Sequence, residues 1–477
     1  MGLRRYVASK DTTITNAYKE NLTTRAVDSN MGSSDSLEVF SIYDQAGDGE
    51  TELSRILIQF PIEQIQQDRE NGNLPASGSV QFVLKMDNAV HPNTLPKKYN
   101  IVVNPLSRSW SEGSGLDMET YRDLGISNWV SASVTEAWSS EGGDYYANSE
   151  YKQYFDTGDE NLSVDVTDLV ESWMTGSIDN NGFIIRLSSS LEDDTRSYYT
   201  KKFFARGSEF FYKKPWIEAR YDTTIKDDRG RFYLYNPFAP IEQSYNNLYI
   251  YNVFKGKLVD LPQVGQGEIY VRLYEEPNLP LPLTGANGPL TLLDGSTVAT
   301  GSWVSTGIYK VSLGIDTELT SVYDIWFDSG GNAIGAGGEI LIVNPDAEEV
   351  HTKNEYVVSI KNLKSSYSNI EESRFYTFVR SKNWNPNSYT SVVTQTSNTI
   401  IDEMFYKIYR ISDNMDVIPY GTGSMNHTRL SYDKNGNYFD LDMSLFEPGY
   451  TYGIKFVFSD MDSYHENSET FKFRVEE

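Results

Sequence analysis

Ser54-Arg55-Ile56-Leu57-Ile58-Gln59-Phe60 places Ile56, Ile58 and Phe60 on one face of an extended chain, because successive side chains of a strand point to opposite sides. The same period of two runs through Val80, Phe82, Leu84 and Met86 in Ser79–Met86, and through Ile269, Val271 and Leu273 in Glu268–Tyr274. It returns at Tyr309, Val311 and Leu313, and again at Phe471, Phe473 and Val475. Half-buried strands of this kind, spaced by Gly, Asn, Asp and Ser turns, indicate sandwiches or barrels. Helical spacing is rare. Val166, Leu169, Val170, Trp173 and Met174 share one helix face, with Asp165 or Thr167 to cap the start and Gly176 to stop it. Ile62–Glu70 is a second short candidate. The fold class is all-β.

Two polar breaks divide the strand-rich chain of 477 residues. The first is the charged Thr223-Thr224-Ile225-Lys226-Asp227-Asp228-Arg229-Gly230, which follows a final strand at Pro215–Tyr221. The second is Asn344-Pro345-Asp346-Ala347-Glu348-Glu349. They predict three domains, at residues 1–222, 230–345 and 350–477. In the third, Leu445-Phe446-Glu447-Pro448-Gly449-Tyr450-Thr451-Tyr452 reads as a leucine, a Pro-Gly turn and a tyrosine opening a strand. That is the tyrosine-corner pattern of immunoglobulin-like sandwiches, whose phenol hydroxyl bonds back to the turn while the ring packs inside. Asn435-Gly436, within Asp433–Phe439, is a strong hairpin signal. The expected architecture is an N-terminal jelly-roll-like β-sandwich followed by two immunoglobulin-like β-sandwiches.

Charge and composition remove several function classes. The formal charge is −26, and it is even: residues 1–222 hold 21 basic and 34 acidic side chains, the remainder 20 and 33. Nucleic-acid binding needs clustered cations, so no nucleic-acid partner is expected. The absence of cysteine excludes disulfides, thiolate metal sites and cysteine nucleophiles. Met1–Tyr6 has the basic start of a signal peptide but no apolar stretch after it, and no run approaches the ~18 apolar residues of a membrane span. A soluble product without membrane contact is expected.

Chemistry-bearing constellations are few. His91, His351, His427 and His465 lie far apart in the sequence, with no second histidine at zinc-ligand spacing. There is no Gly-x-Ser-x-Gly elbow and no phosphate loop. Asp433-x-Asn435-x-Asn437 has oxygen ligands at calcium-loop spacing, but Tyr438 stands where that loop needs glycine and Ser444 where it needs glutamate. No metal, cofactor or enzymatic activity is expected. Lys201-Lys202-Phe203-Phe204-Ala205-Arg206 and Phe210–Trp216 interleave aromatics with cations, a pattern that suits either a base-stacking platform or ordinary strand edges. Trp110, Trp129 and Trp138 stand in polar, loop-like surroundings. Such rings either stack on sugars, with neighbouring polar groups bonding the hydroxyls, or anchor long loops to the sandwich.

From about Ala8 to Asp222 the sequence resembles DNRLRE-type domains, β-sandwich modules related to carbohydrate-binding modules of bacterial and archaeal surface proteins. The order of pieces carries the resemblance: Asp11-Thr12-Thr13-Ile14, Asn30-Met31-Gly32-Ser33-Ser34, Ser54–Phe60, Ser109-Trp110-Ser111-Glu112-Gly113, Asn128-Trp129, Val164–Trp173, Asn181–Ile185, Lys202–Arg206 and Pro215–Glu218. The chain as a whole is similar to virion structural proteins of tailed, cyanophage-like bacteriophages, in which such a sandwich precedes immunoglobulin-like modules. That resemblance implies a non-enzymatic virion component (tail, neck, fibre or capsid decoration) assembled in the host cytoplasm. It would act through contacts with other virion proteins, as a symmetric homo-oligomer. The alternative is a module that binds a host surface glycan through Trp110, Trp129 and Trp138. A polysaccharide-degrading enzyme comes third.

Overall fold

A computed structural model describes residues 2–91, 96–277, 288–343, 356–382, 398–460 and 463–477. The chain divides into two compact units, Gly2–Asp222 and Thr223–Glu477. The predicted break at residues 344–349 and His351 lie outside the described residues.

The first unit contains β1 (Leu3–Val7), β2 (Lys10–Thr15), β3 (Ser36–Tyr43), β4 (Thr51–Gln59), α1 (Ile62–Glu70), β5 (Gln81–Met86), β6 (Tyr99–Pro105), β7 (Tyr151–Phe155), β8 (Leu162–Asp165), α2 (Thr167–Met174), β9 (Phe183–Leu187), α3 (Ser189–Glu192), β10 (Tyr198–Phe204) and β11 (Trp216–Arg220). One sheet has the order β1-β11-β5-β8. The other runs β10-β3-β4-β9-β6-β7, with β2 also paired to β4. Tyr6, Phe82, Leu84 and Ile217 from the smaller sheet meet Ile56, Ile58, Ile101 and Ile185 from the larger one in a single apolar core. The two helices form where periodicity places them. Asp165 Oδ1 accepts the backbone N–H of Thr167 at 3.0 Å, and Gly176, at φ +71°, follows the end of α2. Arg69 and Glu171 join α1 to α2 through a double hydrogen bond of 2.8 and 2.7 Å.

The alternation in β4 predicts one buried face, yet both are covered. Leu57 packs with Ile14, Ile184 and the loop tryptophans in a second cluster, on the side opposite Ile56 and Ile58. Long loops supply that layer.

The second unit begins with β12 (Phe232–Tyr233), β13 (Asn246–Tyr251), the small hairpin β14 (Val253–Phe254) and β15 (Lys257–Leu258), β16 (Glu268–Tyr274), β17 (Ala299–Ser305), β18 (Ile308–Leu313), β19 (Ser321–Phe327) and β20 (Ala333–Val343). Apart from the hairpin these form one seven-stranded sheet, β12-β20-β19-β16-β17-β18-β13, around a core that includes Trp326, Tyr309 and Val271. Its two edge strands are fastened to each other by Asn246, whose amide accepts from Tyr233 N at 2.9 Å and donates to Tyr233 O at 2.8 Å.

Then come β21 (Tyr356–Ile360), β22 (Ser366–Ser368), β23 (Glu372–Ser381), β24 (Met404–Arg410), β25 (Met415–Ile418), β26 (Ser431–Asp433), β27 (Gly436–Asp442), β28 (Thr451–Asp460), β29 (Ser463–Glu466) and β30 (Phe471–Glu476). They form the sheets β21-β23-β27-β26 and β22-β30-β28-β24-β25, with β29 paired to β28. The core between them is aromatic: Phe375 stacks on Phe439 at 5.2 Å, Tyr406 on Phe439 at 4.6 Å, and Phe446 meets Phe473 edge-on at 5.6 Å. The tyrosine corner is present, but Tyr452 makes it. Its buried ring packs on Phe446 and its hydroxyl donates to Glu447 O at 2.8 Å, whereas Tyr450 is exposed.

The charged stretch Thr223–Gly230 is a strap, not a loose linker. Tyr432 N donates to Ile225 O at 2.9 Å, and Asp227 N donates to Tyr432 O at 3.1 Å, so the strap lies alongside β26. Asp227, Asp228 and Arg229 are buried. Arg229 grips Asp324 on β19 through two bonds of 2.7 Å, while Asp228 accepts from Tyr432 Oη at 2.8 Å and from Asn247 N on β13 at 2.8 Å. The strap thereby fastens the two strand groups of this unit.

Candidate functional site

Trp110, Trp129 and Trp138 do not stand at the surface. They are 4%, 4% and 6% exposed and form the cluster over the outer face of β4 and β9 with Ile14, Leu57, Leu106, Ala132 and Ile184. Trp110 Nε1 donates to Asn181 O at 3.0 Å, and Trp138 Nε1 to Asn128 O at 2.8 Å. The Arg55 guanidinium lies 5.1 Å from the centre of the Trp129 ring. It is itself held by Glu192 at 3.0 and 2.7 Å and by Gly142 O at 2.8 Å. Gly142 has φ +86°, and a Cβ there would come within 2.8 Å of the Trp129 ring. Rings covered in this way offer a sugar no face to stack on. The glycan-stacking reading of Trp110, Trp129 and Trp138 therefore gives way to the anchor reading: loops that carry a large apolar ring can bury it, and burial is the stronger pull.

The motifs that carry the resemblance converge elsewhere. Arg206 N donates to Asp11 Oδ2 at 2.6 Å, across 195 residues of sequence, and the Arg206 side chain holds Glu112 at 2.8 and 2.6 Å. Asp11 N donates to Glu112 Oε1 at 2.8 Å. Asn30 ties the same loop down, donating to Glu112 O at 2.7 Å and Ser127 O at 2.8 Å and accepting from Gly115 N at 3.0 Å. Glycines are required for this approach, since a Cβ on Gly115 would sit 2.0 Å from Asn30 O. Burial pushes the Asp11 carboxyl up to about 7, against the pull of the Arg206 N–H and charge. The arrangement is a knot between the ends of the unit and its loop layer, with its acids facing protein donors.

The aromatic–cation stretch is likewise engaged internally. Lys201 is buried between Phe155 and Phe203, and its ammonium donates to Asn88 Oδ1 at 2.6 Å, Glu160 O at 2.5 Å and Gly158 O at 3.1 Å. Burial lowers its pKa to about 8. Lys202 pairs with Glu38, Lys213 with Asp87 at 3.2 Å, and Arg220 with Glu218 at 2.8 Å. Around Asp433 the expected hairpin forms, with Lys434-Asn435 as its loop. Asp433 Oδ1 accepts from Asn435 N at 2.7 Å, while Asn437 turns inward and exchanges bonds with Ile401 N and O at 2.9 and 2.7 Å. Asn435 and Asn437 are therefore not directed at one point. Among the described residues, no group of three His, Asp or Glu side chains could hold a metal, and no helix is long and apolar enough to cross a membrane.

The feature that sequence periodicity did not single out is the β14–β15 hairpin. It pairs only with itself, Val253 with Leu258 and Phe254 with Lys257. Val253 and Phe254 are 58% and 63% exposed, and Leu258, Val259 and the neighbouring Val304 are exposed too. Lys255 and Gly256 form the two-residue turn with φ of +51° and +79°, which matches the twist of paired strands. The base is rigid. Asp260 Oδ1 accepts from Trp303 Nε1 at 3.0 Å and Gly307 N at 2.7 Å, and Asn252 bonds Val259 through both backbone and side chain. A short Val-Phe pair beside a Lys-Gly turn was the available signal, too short for a pattern of alternation to register.

No family model matches the sequence, and a search of curated proteins returns no match.

Proposed function

We propose that the protein is a non-enzymatic structural component of a tailed-bacteriophage virion, acting in the tail, neck, fibre or capsid decoration through contacts with other virion proteins. The observation that carries this reading is the β14–β15 finger: apolar side chains held out on a braced two-stranded hairpin, in a chain whose other large rings are mostly packed inside. Exposed apolar surface of that kind marks contact sites on proteins. The surrounding strands suit a part that keeps its shape, with sheet edges tied by Asn246 and strand groups by the strap. The resemblance of the whole chain to such virion proteins points the same way. Mass spectrometry of purified particles, with labelled electron microscopy to locate the protein, tests the proposal. Recovery at a fixed stoichiometry is expected, and absence from particles overturns it.

A further inference from the structure

We infer that the β14–β15 finger docks on the acidic surface of a second copy of this chain, making a head-to-tail subunit contact; this rests on the virion reading and names the partner. The inference starts from charge. Between Asn252 and Val259 the finger carries Lys255 and Lys257 and no acid, in a chain of 41 basic and 67 acidic residues. The finger thus combines four apolar side chains with a charge opposite in sign to the molecule that bears it. The surface complementary to it is acidic, and each further copy, at −26, is such a surface. Two fingers are not complementary to each other, since pairing them would bring four lysines together. The contact is therefore between unlike patches, and such contacts propagate into rings or fibres. The finger is also pre-organised. Its turn is fixed by positive φ at Lys255 and Gly256, and its base is held by Asp260 and Asn252, so little ordering is lost on docking.

Sedimentation of the full-length chain over a wide concentration range, at low and high salt, tests this. Reversible association that weakens with salt is expected. Phe254→Ser and the double variant Lys255→Glu/Lys257→Glu should each weaken it by about tenfold or more, as loss of a central contact does. Lys255→Asn places the preferred residue in the Lys255-Gly256 turn while removing one cation, so it should preserve the fold and still weaken association. A monomer at every concentration, or association unchanged by Phe254→Ser, overturns the inference. So does a finger variant that associates normally in solution yet is lost from particles, because the finger then meets a different protein. The two proposals fail separately. A monomeric protein found in particles removes the self-contact alone, and a self-associating protein absent from particles removes the virion reading alone.

Discussion

Glu218 and Asp227 are both buried carboxyls, one in each unit, and the protein treats them in opposite ways. Burial by itself would raise both. Around Glu218 stand Arg5 at 3.0 Å, Lys85 at 3.0 Å and Arg220 at 2.8 Å, and these cations hold it well below the usual carboxylate range. Beside Asp227 the one close cation, Arg229, has its guanidinium committed to Asp324. Asp433 and Asp228 add repulsion, and Asp227 is pushed up to about 7. A buried charge is tolerable when its partners surround it; otherwise the group takes up a proton. The same contrast governs apolar material. The first unit folds its loop tryptophans over the sheet, whereas the second leaves Val253 and Phe254 in solvent.

The largest expected effect breaks the indole layer. Trp129→Ala should lower the stability of the first unit by about 3–5 kcal/mol, read as a shift of its denaturation transition with the second unit's transition unmoved. An unchanged first transition would mean that the layer is not packed as described. Glu218→Gln comes next, leaving three cations facing a neutral amide; a loss of roughly 3 kcal/mol is expected in the same unit by urea denaturation.

The pH dependence then sharpens the comparison. Because Asp227 is raised above its unfolded value, its contribution is complete below about pH 4 and is lost as the pH climbs through 7. Glu218 is lowered, so its contribution is present above about pH 4.5 and disappears only as strongly acidic pH is reached. Asp227→Asn should flatten the decline of the second unit between pH 5 and 8, a change of roughly 2–4 kcal/mol across the window at about 1.4 kcal/mol per pKa unit. Asp11 gives the first unit a slope of the same sign, so the single substitution is what isolates the strap. If melting curves of Asp227→Asn and the parent protein keep the same pH slope, the strap is not the titrating element. The smallest effect is Tyr452→Phe, which removes the bond to Glu447 O and should cost about 1 kcal/mol in the second unit, with Tyr450→Phe as a neutral control.

Much of the fold was legible because strand period and turn chemistry are local. Ile56, Ile58 and Phe60 face the core as alternation requires, and Glu268–Tyr274 forms a strand over those residues. The hairpin after Tyr432 forms with its turn one residue earlier than Asn435-Gly436 suggests, because Asp433 caps it through Asn435 N. The tyrosine corner was visible as a motif, but both tyrosines fit it, and only the direction of β28 sends Tyr452 inward and Tyr450 out. The tryptophans were visible as large rings in polar loops. Nothing local could say whether those loops fold over β4, since Leu57 and Ile184 alone give no sign of what covers them. Asp227-Asp228-Arg229 read as a break because charges in a row are ordinarily solvated. Burial followed only from the arrival of Asp324, Asn247 and Tyr432, at sequence distances of about 20 to 200 residues.

By itself, then, the sequence determined an all-β chain, its strand faces, its short helices and the exclusion of thiol chemistry, all of which depend on neighbours within a few residues. The tertiary structure decided which aromatics are anchors and which are exposed, that the charged stretch is a buried strap, and that Glu218 and Asp227 titrate in opposite directions. Those outcomes turn on solvent exclusion and on charges brought together by folding, and neither is a property of any short stretch of sequence.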